Sequence, residues 1–158
     1  MQIPTVPGRP PTDGPRSGAT GAWPLAAARR FPATACSVGQ ARRFLLGLLP
    51  EGCGGTDALV LMLSELATNA VRHAVTSYDV SVRFAGDPWR VRVEVSDGGG
   101  GYPARHEPVV EGADGRGLHI VGTLSDAWGV ERRRDGAGKT VWFTSALAAA
   151  AGRPQFVL

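Results

Sequence analysis

Three polar residues, Glu65, Asn69 and His73, recur every four positions in one helical segment of this chain. At about 100° per residue, side chains four positions apart stack above one another, so these three form a stripe along a helix. Leu61 and Met62 flank Glu65, which makes its surroundings partly apolar. A carboxylate and a carboxamide one turn apart in such surroundings indicate a candidate polar site. A solvated helix face is the alternative interpretation.

Asp97 ends a strand-like run and is followed by four consecutive glycines at positions 98–101. A run of glycines loses much conformational entropy on folding. Because glycines lack Cβ atoms, a flat ring can lie close to their backbone, and the Asp97 carboxylate can accept a hydrogen bond from an exocyclic amine. A flexible turn is the alternative.

Gly115, Arg116 and Gly117 precede a segment with a helical pattern. Backbone N–H groups at a helix start, with the positive end of the helix dipole, favour an anion such as a polyphosphate. Arg116 adds a charge-assisted contact. The sequence 138–140 (Gly-Lys-Thr) lacks the spaced glycine and following helix of a Walker A loop, so we do not interpret it as one.

The helices that must position these residues are predicted from apolar residues that recur with a period of about 3.6 residues. One helix is predicted over 38–49 with Ser37 as its N-cap, and a longer one over 57–75 with Thr56 as its N-cap. A third is predicted over 118–127, directly after the second glycine cluster.

The strands follow from period-two alternation of apolar and polar residues. An edge strand, a first hairpin and a final hairpin are predicted at 23–31, 78–84 with 89–96, and 130–134 with 140–146. The order of elements predicts an α+β two-layer sandwich, in which a mostly antiparallel sheet carries helices on one face.

Composition limits the class of protein. The 158 residues carry a formal charge of +3, and their short arginine runs lack interleaved aromatics, which argues against nucleic-acid binding. We predict a domain over 23–147, a disordered Pro/Gly-rich tail over 1–22 and a C-terminal tail over 148–158. Two distant cysteines, and the absence of a signal-peptide pattern or a membrane-length apolar run, favour the cytoplasm.

From about Phe31 to Phe143 the chain resembles the GHKL ATPase superfamily, and within it the short anti-sigma-factor serine kinases. Four blocks in the family's order carry the resemblance. They are Glu65-Leu66-x-x-Asn69-Ala70-x-x-His73-Ala74, Asp97-x-Gly99-x-Gly101, Gly115-x-Gly117-Leu118 and Gly138-Lys139-Thr140-Val141-Trp142-Phe143. The resemblance implies the histidine-kinase-like ATPase fold.

The resemblance also implies a site for ATP and Mg²⁺. Asn69 takes the position of the family's Mg²⁺ ligand, and Glu65 that of the general base, which orients a hydroxyl or water for attack on the γ-phosphate. Asp97 would bind the adenine amine, with Thr140 assisting through a water.

Other matched residues would surround the nucleotide. Gly99 and Gly101 would allow its close approach, and residues 102–114 would form a mobile lid over the phosphates. The phosphates would be held by Gly115, Arg116 and Gly117, and Leu118 is a further nucleotide-binding residue. Arg72 and His73 are near-site candidates, and a structural or solvated role is their alternative.

The function favoured by the resemblance is an ATP:protein serine/threonine kinase that phosphorylates an antagonist protein and, in its other state, sequesters a sigma factor. A homodimer is expected from the resemblance alone, with no direct nucleic-acid or membrane partner. One alternative is an ATP-dependent binding module without phosphotransfer. Another is the detached ATPase domain of a sensor histidine kinase, against which we find no dimerisation hairpin with a phosphoacceptor histidine.

Overall fold

The computed structural model describes residues 23–73, 76–86, 89–98, 113–133, 136 and 138–148. In these residues the chain forms three helices and five strands. The helices are α1 (Ala35–Leu48), α2 (Thr56–His73) and α3 (Ala113–Leu124). The strands are β1 (Leu25–Phe31), β2 (Tyr78–Ala85), β3 (Arg90–Asp97), β4 (Ala127–Arg132) and β5 (Lys139–Ala146).

The strands form one antiparallel sheet in the order β1-β2-β3-β5-β4. Strand β1 pairs with β2 alone, which confirms the predicted edge strand. The alternation in β2 and β3 places Val80 opposite Val95 and Val82 opposite Val93, so both strands turn their valines to the same face. The predicted α+β sandwich is confirmed.

The hydrophobic core lies between this face of the sheet and the helices. Leu59, Leu63 and Leu66 of α2 share one buried cluster with Val93 and Phe143 of the sheet. Burial of each large apolar side chain stabilises the fold by about 1.5–3 kcal/mol. This packing fixes the face that α2 turns to the sheet, and therefore also the position of its polar stripe.

The opposite face of the sheet carries a cluster of charged side chains. The Arg92 guanidinium stacks over the Trp142 ring at 4.1 Å, and its Nε donates a hydrogen bond of 2.6 Å to Glu94. Glu94 also lies 3.5 Å from Nε of Arg83. Polar groups therefore occupy the face of the sheet turned away from the core.

Chain order brings the end of α2 to the end of β3. Helix α2 ends at His73, β2 begins five residues later at Tyr78, and Tyr78 pairs directly with Asp97. The C-terminal end of α2 and the carboxylate of Asp97 therefore lie at the same end of the molecule. No helix in the described part of the chain combines the length and the apolar character needed to cross a membrane.

The predicted bounds of the first helix were wrong at its start. Helix α1 begins at Ala35, with Thr34 in the N-cap position, and ends at Leu48. Ser37, the predicted N-cap, is fully buried inside the helix. Its hydroxyl donates to the carbonyl of Thr34 at 2.7 Å and lies 2.8 Å from the hydroxyl of Tyr78. The prediction was wrong because Ser37, although its residue type favours an N-cap, forms a hydrogen bond with Tyr78 from another element.

The predicted cap of the second helix was also wrong. Thr56 is the first helical residue, and its hydroxyl donates to the carbonyl of Cys53 at 3.0 Å instead of accepting from a helix N–H. Positions 74 and 75, the predicted end of this helix, lie outside the described residues, as do most of the predicted tails.

The predictions for the last helix and hairpin also need correction. Helix α3 begins at Ala113 and ends at Leu124, whereas 118–127 was predicted. Strand β4 begins at Ala127, so Trp128 is a strand residue that packs in the core. Apolar spacing alone does not separate these short adjacent elements. Strand β5 begins at Lys139, one residue before the predicted start.

The buried hydrogen bond between Ser37 and Tyr78 provides a test of the packing of α1 on the sheet. Ser37→Ala leaves a buried phenol without its partner, so we expect a loss of about 1–3 kcal/mol in the free energy of unfolding. In a Tyr78→Phe background the same substitution should cost less, since no phenol remains. Denaturant unfolding of the four proteins in this cycle measures both values, and equal costs in the two backgrounds would contradict the account.

The same pair predicts a dependence of stability on pH. Burial raises the pKa of the Tyr78 phenol above its ordinary value of 10.0, and the bond to Ser37 offsets part of the rise. The unfolded chain then releases this proton at lower pH than the folded chain, so stability is complete below about pH 10 and falls above it. Thermal unfolding across this range should show a shallower fall in Tyr78→Phe than in the wild type. Parallel curves would contradict the account.

Candidate functional site

Helices α2 and α3 meet at Gly117. A Cβ atom added to Gly117 would lie 3.0 Å from Oε2 of Glu65 and 3.3 Å from Nδ2 of Asn69. Gly117 is itself buried. Because this position lacks a side chain, the backbone of α3 lies directly against the polar stripe of α2. The first and third sequence blocks are thereby brought together.

The polar stripe of α2 is partly accessible, and two of its members, Glu65 and Asn69, retain unused bonding capacity among the described residues. Glu65 and Asn69 are half-buried, whereas Arg72 and His73 are exposed. Among the residues that the structure describes, neither Glu65 nor Asn69 has a hydrogen-bond or ion-pair partner for its side chain. A half-buried carboxylate and amide without partners are more typical of a binding site than of a structural network.

The glycine cluster at 115–117 lies within α3, whereas the sequence predicted that it precedes the helix. The helix begins at Ala113, so Gly115 falls in the first turn, where N–H groups have no intrahelical acceptor. Those groups remain suited to bind an anion, and Arg116 is exposed beside them. Gly117 follows this turn and serves the contact with α2. Leu118 is half-buried and packs against the core.

Asp97 lies at the end of β3, against the start of β5. Its Oδ1 accepts a hydrogen bond of 3.3 Å from the backbone N–H of Lys139. Gly138 has a φ of +104°, and a Cβ there would overlap the carbonyl oxygen of Asp97 and lie 2.9 Å from Oδ1. Glycine is therefore required at 138, because β5 approaches the carboxylate so closely.

The structure does not bring the hydroxyl of Thr140 to Asp97. Thr140 pairs with Ser96 across the β3–β5 ladder, and their hydroxyls lie 2.7 Å apart. Successive strand residues point to opposite faces, so this pair lies on the face opposite to the Asp97 side chain. The residue of β5 directly opposite Asp97 is Lys139.

Several residues at this end of the sheet were not predicted as site residues. A Cβ at Gly98 would lie 3.7 Å from Nη1 of Arg133 and 3.9 Å from Oγ1 of Thr76. Both residues come from connections distant in sequence, and no local pattern indicates them. The glycines in the turn before β5 could have indicated that the backbone at Gly138 lies close to Asp97.

Some predicted site residues lie outside the described part of the chain. They are Gly99, Gly101 and residues 102–112 of the predicted lid. Ala113 and Asp114, predicted as the end of that lid, belong instead to α3. In the described part, no group of three or more His, Cys, Asp or Glu side chains is arranged to hold a metal ion.

Comparison with known families accounts for this arrangement. The sequence-family model for the histidine kinase-like ATPase domain matches residues 31–145, well over half of the chain. The chain therefore belongs to this family and to the GHKL-type ATPases, and ATP is the nucleotide that its domain uses. A search of curated proteins finds no match to the chain.

The contact at Gly117 predicts a substitution that separates function from stability. In Gly117→Ala the new Cβ displaces the side chains of Glu65 and Asn69, so we expect ATP binding to weaken about tenfold, equivalent to 1.4 kcal/mol. The free energy of unfolding should not fall, because alanine favours a helix by about 1 kcal/mol over glycine and the displaced groups are flexible. Calorimetric titration and denaturant unfolding measure the two effects.

Gly47→Ala is the matched control. Gly47 lies in α1, and a Cβ there would have no atom within 4 Å. This variant should gain the same helix stability and bind ATP as the wild type does. The account would be contradicted if Gly117→Ala bound ATP as tightly as Gly47→Ala.

Proposed function

We propose that this protein is an ATP:protein serine/threonine kinase of the anti-sigma-factor type. It phosphorylates a small antagonist protein and, in its other state, binds and sequesters a sigma factor. Membership of the histidine kinase-like ATPase family supports the use of ATP. The observation that carries the more specific function is the Glu65 carboxylate, which lies one helical turn from Asn69, against α3 and without a partner in the described residues.

Glu65 has the chemistry of a general base for transfer of the γ-phosphoryl group. The carboxylate accepts the proton of a serine or threonine hydroxyl while the hydroxyl oxygen forms a bond to the γ-phosphorus. The bond between that phosphorus and the β–γ bridging oxygen breaks, and ADP leaves. A carboxylate held in an ion pair would be poorly placed for this role, whereas the Glu65 carboxylate has no such partner in the described residues.

The residues around Asn69 fit a Mg²⁺ ion. The amide is half-buried and lacks a hydrogen-bond partner among the described residues, and the start of α3 lies close to it through the contact at Gly117. Mg²⁺ prefers oxygen ligands and usually keeps waters and phosphate oxygens, so a single amide oxygen suffices from the protein. When bound, the ion neutralises phosphate charge. Asn69 would hold the ion through its amide oxygen, and the N–H groups at the start of α3 would contact the phosphates.

The partners in this proposal are supported by the resemblance of the four sequence blocks to the short anti-sigma-factor kinases. The chain would act in the cytoplasm as a homodimer, with a sigma factor and an antagonist protein competing for it. An ATP-dependent binding module without phosphotransfer is the outcome that the following experiment separates from a kinase.

Replacement of the proposed base tests the kinase function. Full-length protein is incubated with γ-labelled ATP and each small antagonist protein encoded in the same genome. We expect one of them to be labelled on serine or threonine, in an acid-stable form that excludes phosphohistidine. Glu65→Gln should reduce this labelling by roughly 10²–10⁴-fold while calorimetry shows little change in ATP affinity, because the amide keeps the size of the side chain but accepts no proton.

Asp57→Asn is the matched control, since it makes the same change at an exposed position in the first turn of the same helix. It should label the antagonist as the wild type does. If the wild type binds ATP tightly but labels none of the candidates, the chain is a binding module. If Glu65→Gln labels as fast as Asp57→Asn, Glu65 is not the base.

A further inference from the structure

On the β5 side of β3, the residue directly opposite Asp97 is Lys139, the only lysine in the chain. Directly opposed residues of antiparallel strands project their side chains to the same face, with Cβ atoms about 4.5–5.5 Å apart. The hydrogen bond from the backbone N–H of Lys139 to Oδ1 of Asp97 fixes this register locally. A carboxylate and an ammonium group thus leave the sheet side by side.

The side chains of Asp97 and Lys139 do not form an ion pair with each other. In the described residues, Asp97 and Lys139 form no side-chain ion pair, and the carboxylate accepts only the backbone N–H of Lys139. Arg30 and Asp79 show the contrast, because they are also directly opposed and close into two hydrogen bonds of 2.9 and 3.1 Å. The pair at Asp97 therefore retains bonding capacity for a ligand.

A second positive charge lies on the other side of Lys139. On its other side, Lys139 is opposed by Arg132 of β4, and like charges directly opposite each other are unfavourable. A Cβ at Gly138 would overlap the carbonyl oxygen of Asp97, so the backbone directly before Lys139 lies close to Asp97. Thr140, the neighbouring polar residue, engages Ser96 on the opposite face.

A donor beside an acceptor matches the edge of adenine, where the exocyclic amine is flanked by the ring nitrogens N1 and N7. We propose that Lys139 is a specificity-determining residue of the ATP site, and that its ammonium group donates a hydrogen bond to one of these nitrogens while Asp97 accepts from the amine. This inference rests on the proposed use of ATP and adds a second base contact. A compact ammonium group with three rotatable donors suits a single ring acceptor.

The test compares affinities of the full-length protein for ATP, 1-deaza-ATP and 7-deaza-ATP by calorimetric titration. The wild type should bind one of the two analogues about tenfold more weakly than ATP, as expected for the loss of one charge-assisted hydrogen bond. Lys139→Met should bind ATP about tenfold more weakly than the wild type and show no further loss with that analogue. Arg43→Met, which removes an exposed charge on α1, should behave as the wild type does.

The outcomes separate this inference from the proposed function. If Lys139→Met binds ATP as tightly as Arg43→Met, or suffers the same penalty with the analogue as the wild type, Lys139 makes no base contact. If the wild type binds no ATP, the proposed function fails as well.

A second measurement on the wild type does not depend on the folding of a variant. Because Lys139 is the only lysine, its side chain and the N-terminus are the only amines that an amine-reactive acylating reagent can modify. ATP should protect Lys139 and leave the N-terminus reactive, as read by peptide mass spectrometry. Equal modification of Lys139 with and without saturating ATP would overturn the inference.

Discussion

The close packing of α3 on α2 at Gly117 is the contact on which the rest of the site depends. Any side chain at this position would meet Glu65 or Asn69 within about 3 Å. The missing Cβ lets a carboxylate, an amide and the first turn of a helix converge without a buried ion pair. Each feature alone is common in proteins. Their convergence allows one surface to bind phosphates, hold a cation and accept a proton.

The sheet supplies the second requirement, a fixed position for Asp97, the group proposed to bind the base. Tyr78 follows α2 closely in sequence and pairs with Asp97, so the end of α2 and the end of β3 lie at the same end of the molecule. The start of β5 lies close to Asp97 at Gly138, and the backbone N–H of Lys139 donates a hydrogen bond to its carboxylate. The groups proposed to bind the phosphates and the base are thus carried by helices and strands that share one core.

Patterns that depend on neighbouring residues were predicted well from the sequence. Alternation identified β2 and β3 because one face of each strand is buried, and helical periodicity placed Glu65 and Asn69 on one stripe. Features that depend on tertiary partners were not predicted from the sequence. Ser37 has the local preference of a cap but bonds to Tyr78, and the register that sets Lys139 opposite Asp97 becomes visible only when β3 and β5 are paired.

The central claim is that the α2–α3 contact and the end of β3 belong to one ATP site. The most direct measurement is a crystal structure of the full-length protein with a non-hydrolysable ATP analogue and Mn²⁺, located by its anomalous scattering. The account predicts the ion on the Asn69 amide oxygen, the phosphates at the start of α3 and the adenine amine on Asp97. A nucleotide bound away from Asp97, or an ion that does not contact Asn69, would contradict it.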